Sequence, residues 1–325
     1  MAHSPIQSQR LIGRAADVQH ARRAMDAAGR GQGQVLLISG EAGIGKSRLI
    51  AEIKAAMAEA RHGQSSAPAP LLCEGRCFEQ DRALPYAPLI DLLRTQTSQI
   101  AEDLRGLSPL SHLLPELGEA PAPSEPEQDK RRLFEALAQT LGSNPSPKKG
   151  GELAAIVVIV VIIEDLHWAD EASLEFLLYF ARRIGSRPVL LAMTYRGDEV
   201  GLALERFLAA LDRERLATEI ELKRLDANET ASLIRSVFDL PHSPQPEFLS
   251  AIHQLTDGNP FFVEEVLKSF VSAGEIFELG GQWGRKPLSQ LRVPRTVQAA
   301  VRQRSVAVNL RQLKQQLEQR RLQFA

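Results

Sequence analysis

Three glycines, Gly40, Gly43 and Gly45, stand directly ahead of Lys46 and Ser47 in the string Gly-Glu-Ala-Gly-Ile-Gly-Lys-Ser, which fits G-x-x-x-x-G-K-[ST]. Residues of these types at this spacing are suited to holding a chain of phosphates. The glycines let the backbone turn its N–H groups inward, where a Cβ would block the required dihedrals. Lys46 brings a point charge to the outer phosphates and Ser47 a hydroxyl to Mg²⁺. The helix that starts there aims its positive end at the anion. We therefore take Gly40, Glu41, Ala42, Gly43, Ile44, Gly45, Lys46, Ser47 and Arg48 as the nucleotide-binding set of a P-loop.

Two further groups can act on a phosphate held in this way. The run IVVIVVIIED ends in Glu164 and Asp165, an apolar strand delivering carboxylates. Mg²⁺ demands oxygen ligands in near-octahedral geometry, so a rigid strand end is a suitable platform. Glu164 is assigned to metal support beside Ser47, and Asp165 to polarising the attacking water, the two roles being interchangeable at this point. Arg196 ends the next apolar run, VLLAMTYR, and its planar fork of donors suits a γ-phosphate sensor that distinguishes ATP from ADP. The neighbours His167 and Trp168 read as packed structural residues.

These groups need elements to position them. Val35 to Ser39 is a buried strand ahead of the loop, and Leu49, Ile50, Ile53 and Met57 recur at helical spacing after it. Leu11 to Ala28 reads as a turn and a helix, with Val18, Ala21, Ala24 and Met25 on one face. A strand over Leu71 to Phe78 precedes LPYAPLIDLLR, whose prolines allow only a late helix start. A helix over Glu127 to Leu141 carries Leu133, Phe134, Leu137 and Leu141. Asp170 is placed to cap a helix whose stripe is Leu174, Leu177, Leu178, Ala181 and Ile184. His62 to Pro70, Pro115 to Pro126 and SNPSPKKGG are loops. Continuously apolar strands alternating with helices indicate a mainly parallel sheet covered on both faces. In that architecture ligands gather at the carboxyl ends of strands, where Gly40, Glu164 and Arg196 all fall.

Composition narrows the function classes. The 325 residues, 44% hydrophobic, can bury one large core and a smaller one. A net charge of -1 leaves no global attraction for nucleic acid or an anionic membrane, so any DNA contact must be local. Cys73 and Cys77 lack the further ligands a zinc site requires and read as core residues of a reduced, cytoplasmic chain. No signal peptide is visible, and the most apolar stretch, Leu153 to Ile163, is too short to span a bilayer.

From Leu225 the pattern turns helical, through NETASLIRSVF, PEFLSAIHQLT and NPFFVEEVLKSFVSAG. EIFELGGQW then suggests a hairpin, and VPRTVQAAVRQR a helix. The expected organisation is a flexible tail over 1–10, a P-loop domain of α/β class over 11–222, a helical domain over 223–274 and a partial winged-helix-like segment over 275–304. Residues 305–325, with Leu310, Leu313 and Leu317 at heptad-like spacing, read as an exposed tail or a short partner helix.

The strings LIGRAADV, GEAGIGKSRLIAEI, EGRCFEQDRALPYAPLIDLLR, IIEDLHWADEASLEFL, MTYRGDE and DGNPFFVEEVL together resemble the signal-transduction ATPases with numerous domains (STAND), within the AAA-like class. The resemblance is strongest to the ATPase module of LuxR-type, MalT-like bacterial regulators and of cyclase- and kinase-associated ATPases. It implies that Ile12, Gly13 and Arg14 lie near the adenine, that Pro260 contacts the nucleotide and that Arg196 is the sensor arginine. It also implies ATP/ADP and Mg²⁺ as cofactors, weak ATP hydrolysis, a homo-oligomer or a regulatory protein as partner, and no membrane. Glu164 stands where similar proteins usually have Asp, and similar proteins usually continue beyond this point into helical repeats and an output domain.

Two other function classes fit parts of the sequence. An origin-recognition-like AAA ATPase that binds DNA would use Arg285, Lys286, Arg292, Arg295, Arg302 and Arg304. A small-molecule kinase would need an acceptor pocket that the sequence does not reveal.

Overall fold

The computed structural model describes residues 6–8, 10–62, 70–94, 108–118, 122, 125–142, 157–279 and 282–291. Outside them lie most of the His62 to Pro70 and SNPSPKKGG loops, the start of the Leu153 to Ile163 run, the VPRTVQAAVRQR segment and residues 305–325. The chain falls into two compact units. One holds Ala15–Ala42 and Lys46–Leu222; the other holds the residues before Ala15, the loop tip Gly43–Gly45 and the chain from Lys223.

The first unit contains helices α1 (Ala15–Gly29), α2 (Lys46–His62), α3 (87–94), α4 (Pro126–Gly142), α5 (Glu171–Ala181) and α6 (Leu202–Arg213). Its strands are β1 (Gln34–Ser39), β2 (Leu71–Arg76), β3 (Ile159–Glu164), β4 (Val189–Tyr195) and β5 (Thr218–Glu221). They form one sheet in the order β2-β3-β4-β1-β5 with every pairing parallel.

Alternation along the strands sends side chains to two apolar layers. Val35 and Leu37 join Ile159, Val161, Ile163, Leu191 and Met193 against α4, α5 and α6. Leu36 and Ile38 are also fully buried, on the opposite side, where α1 packs on β1 and β4 and against α2. The interior strands β3, β4 and β1 are covered on both faces, which is why their runs are continuously apolar, whereas in the edge strand β5 only Ile220 is buried. Each fully buried Leu, Ile or Phe contributes about 1.5–3 kcal/mol to the fold.

Local details refine the sequence reading. β2 ends at Arg76, so Cys77 lies just past the strand; both thiols are buried in the core, and burial pushes Cys73 up to about 12 and raises Cys77 as well. The helix of the proline-rich segment starts only at residue 87. Asp170 caps α5: its Oδ1 accepts from the Ser173 N–H at 2.8 Å and from the Tyr86 N–H at 3.1 Å. α5 stops at Ala181, so Ile184 joins the core from the following turn. Among the described residues no helix is long and apolar enough to cross a membrane.

The second unit is built on α7 (Ala227–Phe238), α8 (Pro246–Thr256) and α9 (Pro260–Ser272), followed by the antiparallel strands β6 (Ile276–Leu279) and β7 (Gln282–Arg285). Asp226 and Glu229 close a reciprocal capping box on α7. Leu233, Ile234, Phe238, Phe248, Ile252, Val263, Val266, Leu267 and Phe270 form its core. The hairpin joins through Ile276 and through Trp283, whose ring lies 4.7 Å from that of Phe238. Residues 1–10, read as a flexible tail, include a buried Ser8 whose N–H donates to Glu264 Oε1 at 3.1 Å. That partner is 256 positions away in sequence, beyond the reach of any local pattern.

Candidate functional site

The sheet order fixes the site's dimensions. β4 is inserted between β1, which leads into the phosphate loop, and β3, which ends in Glu164. At about 4.8 Å per strand, the ends of β1 and β3 therefore stand roughly 10 Å apart across the sheet, a gap that side chains must bridge. Arg196 leaves the strand between them.

The loop is built as its glycines require. Gly40, Gly43 and Gly45 all have positive φ, and that of Gly45, +111°, is essentially closed to any residue with a Cβ. At Gly43 (φ +74°) a Cβ would also come within 2.7 Å of Phe261, whose N–H donates to the Gly43 carbonyl at 3.3 Å. Lys46 opens α2 and its Nζ donates to the carbonyl oxygens of Gly40 and Glu41, both at 2.8 Å. Burial lowers the pKa of Lys46, and the nearby Arg196 charge lowers it further against Asp165, Asp198 and Glu199. An anion reaching this ammonium would relieve both effects.

Ser47 Oγ donates to Glu164 Oε2 at 2.7 Å. The hydroxyl and the carboxylate expected to share Mg²⁺ thus meet directly, and with the glycine loop and the Lys46 ammonium they form a set of groups that fits a Mg²⁺-nucleotide. Glu41, Ala42, Ile44 and Arg48 lie in the loop and first turn of α2; Ile44 and Leu49 are fully buried and anchor it.

Asp165 adopts a left-handed backbone (φ 64°, ψ 44°) and turns the chain into the helical turn Leu166–Trp168. Its N–H donates to Thr194 Oγ1 at 3.0 Å, pinning the end of β3 to β4. Its Oδ2 accepts two bonds from Arg76, from Nε at 3.1 Å and Nη2 at 2.9 Å. The β2–β3 register pairs Arg76 with Glu164 and so delivers the guanidinium to the next residue along. Sequence reasoning assigned Arg76 no role, because nothing local links it to a residue 89 positions later.

Arg196 is held in a tight turn: the Glu199 N–H donates to the Arg196 carbonyl at 3.1 Å, and Arg196 Nη1 donates to Glu199 Oε1 at 2.6 Å. The other carboxylate oxygen, Oε2, lies 3.7 Å from His167 Nε2. The His167 side chain is fully buried, and neither ring nitrogen has a hydrogen-bond partner among the described residues. Leaving such groups unmatched costs about 1–3 kcal/mol each. Burial lowers the His167 pKa, with Arg196 and Lys46 adding to the effect and Asp165 and Glu199 opposing it, so the ring is neutral at pH 7.

The remaining expected contacts belong to the second unit. Gly13 has positive φ, Arg14 is buried and donates to the Lys223 carbonyl, and Pro260 is the first residue of α9.

Comparison with known proteins adds the family. An uncharacterised protein of Rhizobium meliloti (strain 1021) is 29% identical over 271 residues, which is 79% of this chain and 24% of that protein; the chain thus spans about a quarter of its length. Among solved structures, the ORC2 protein of Aeropyrum pernix in ADPNP–ADP complexes aligns over 82% of this chain and 66% of its own, with TM-score 0.47 and 15% identity. Cdc6p from Pyrobaculum aerophilum aligns over 82% and 64%, with TM-score 0.49 and 12% identity. The profile of the AAA ATPase domain matches residues 10–192, a span that runs from the start of the described fold through the P-loop and the Glu164-Asp165 strand into β4. With more than half of its length matched, this chain belongs to the AAA ATPase domain family.

Proposed function

We propose that the chain is a nucleotide-state switch of the STAND type, similar to the ATPase modules of LuxR-type, MalT-like regulators, that binds ATP or ADP with Mg²⁺ and hydrolyses ATP slowly. The observation that carries this reading is the engagement of Asp165 by Arg76. A carboxylate that already accepts two charge-assisted bonds is a poor acceptor for a proton from water. Slow turnover lengthens the life of the ATP-bound state, as a switch needs.

The residues divide the work. The loop N–H groups and Lys46 bind the phosphates, Ser47 and Glu164 hold the metal, and Asp165 orients the water and takes its proton. When bound, Mg²⁺ would supply charge neutralisation to the phosphates. Arg196 distinguishes a terminal phosphate from its absence, and by the family resemblance Pro260 contacts the nucleotide. A population shift requires different affinities for ATP and ADP in the two states, which is the role given to Arg196.

The test is the nucleotide that co-purifies, together with turnover in Mg²⁺. Tightly held ADP and slow turnover are expected, and Arg76→Ala should raise turnover several-fold by freeing Asp165; fast turnover in the unaltered chain would overturn the reading. The DNA-binding alternative draws less support. Arg285 stacks over Phe248 and donates to Gln245 and to the Lys286 carbonyl, so it is engaged within its own unit. Salt-dependent binding of duplex DNA by the whole chain would revive that alternative.

A further inference from the structure

We propose that Glu199 is a two-position latch, holding Arg196 while no γ-phosphate is present and passing to His167 when Arg196 moves to one. This deepens the sensor role given to Arg196 and rests on it.

Three observations combine. First, Arg196 and Glu199 are positions one and four of the same turn, closed by a backbone bond at 3.1 Å and by their side chains at 2.6 Å. The resting partner of the arginine is therefore built into its own loop, at little entropic cost. Second, both side chains are about one-third exposed, so the ion pair is solvent-weakened and a triphosphate can outcompete it. Third, His167 Nε2 faces Glu199 Oε2, the carboxylate oxygen other than the one Arg196 Nη1 bonds, at 3.7 Å, within a side-chain adjustment of the roughly 2.9 Å of a hydrogen bond.

The exchange leaves no charge stranded. When Arg196 turns to a γ-phosphate, Glu199 loses its cation. The neutral His167 ring then donates Nε2–H to the carboxylate, which gives a buried donor the acceptor it lacks among the described residues. No proton moves. With ADP, Arg196 returns and the His167 contact opens. Each nucleotide state thus has its own partner for Glu199, and a bistable pair is what a population shift requires.

The experiment uses the full 325-residue chain with Mg²⁺ and either ADP or the non-hydrolysable analogue AMP-PNP. In ¹⁵N-labelled protein the His167 imidazole signal, assigned by its loss in His167→Gln, should show a hydrogen-bonded, downfield Nε2–H with AMP-PNP and not with ADP. In parallel, Glu199→Gln should raise the ratio of AMP-PNP to ADP affinity by about 2–5-fold, the scale of a partly exposed ion pair. Arg196→Ala should lower the same ratio. If Arg196→Ala lowers it while Glu199→Gln leaves it unchanged, or if the imidazole signal is the same with both nucleotides, the latch is overturned and the sensor role stands. If Arg196→Ala leaves the ratio unchanged, the sensor role falls and the latch with it.

Discussion

At the scale of single residues, Lys46 and His167 make contrasting demands. The Lys46 ammonium is buried and bonded to two carbonyls of its own loop, so a phosphate must offer it more than those carbonyls do. Charge-assisted hydrogen bonds contribute about 1.5–3 kcal/mol each. Lys46→Ala should accordingly weaken ATP and ADP alike by about 10- to 100-fold in calorimetric titration. His167 carries a pH dependence. Its pKa is lowered by burial, with Lys46 and Arg196 on the cationic side and Asp165 and Glu199 on the anionic side. The unfolded chain takes up a proton near pH 6.5 while the folded chain does not, so stability is full above that pH and is lost as pH falls below it. The melting midpoint of the chain should drop between pH 7 and pH 5, and less steeply in His167→Gln.

At the scale of elements, Asp170 shows what a local pattern can and cannot reveal. Its residue type and its position before an apolar stripe identified it as the cap of α5, a purely local relation. Its second bond, to the Tyr86 N–H, comes from a segment 84 positions earlier and could not be read in advance. Asp170→Ala should therefore cost more than an ordinary cap, about 2 kcal/mol or more, by denaturant titration. The same distinction runs through the site. The placement of Gly40 to Ser47, Glu164 and Arg196 was legible because each follows or ends an apolar strand, and strand ends converge once the sheet is parallel. Arg76 and Thr194 were not, because their roles depend on which strands are neighbours and in what register. Glu199 lay within a recognisable string, yet only the turn geometry couples it to Arg196. His167 was read as a packed structural residue; it is indeed buried, but its unmatched nitrogens are invisible to sequence.

At the scale of the whole molecule, the two units draw on the chain differently. The first is nearly continuous, whereas the second gathers residues from the beginning and the end of the sequence. Ser8 is one of its long-range ties, bonding through its N–H to the buried Glu264 and through its hydroxyl to Ser236 at 2.8 Å. Glu264→Ala should loosen the residues around Ser8, seen as faster amide exchange there, and destabilise the second unit by about 1–3 kcal/mol. Unchanged exchange would mean that the tie is incidental. Sequence order alone suggested a tail, because a strand-like or helical period is absent there and the contact that holds Ser8 is wholly non-local.

The 2.7 Å bond between Ser47 and Glu164 has a consequence for the choice of ion. Under the metal role proposed for this pair, neighbouring ligands on an octahedral Mg²⁺ at about 2.1 Å stand about 3 Å apart, so the two oxygens already have nearly that spacing. Ca²⁺, with ligands at about 2.3–2.6 Å, asks for a wider pair. Calorimetric titration should then show tighter nucleotide binding with Mg²⁺ than with Ca²⁺, and equal affinities would count against the metal role.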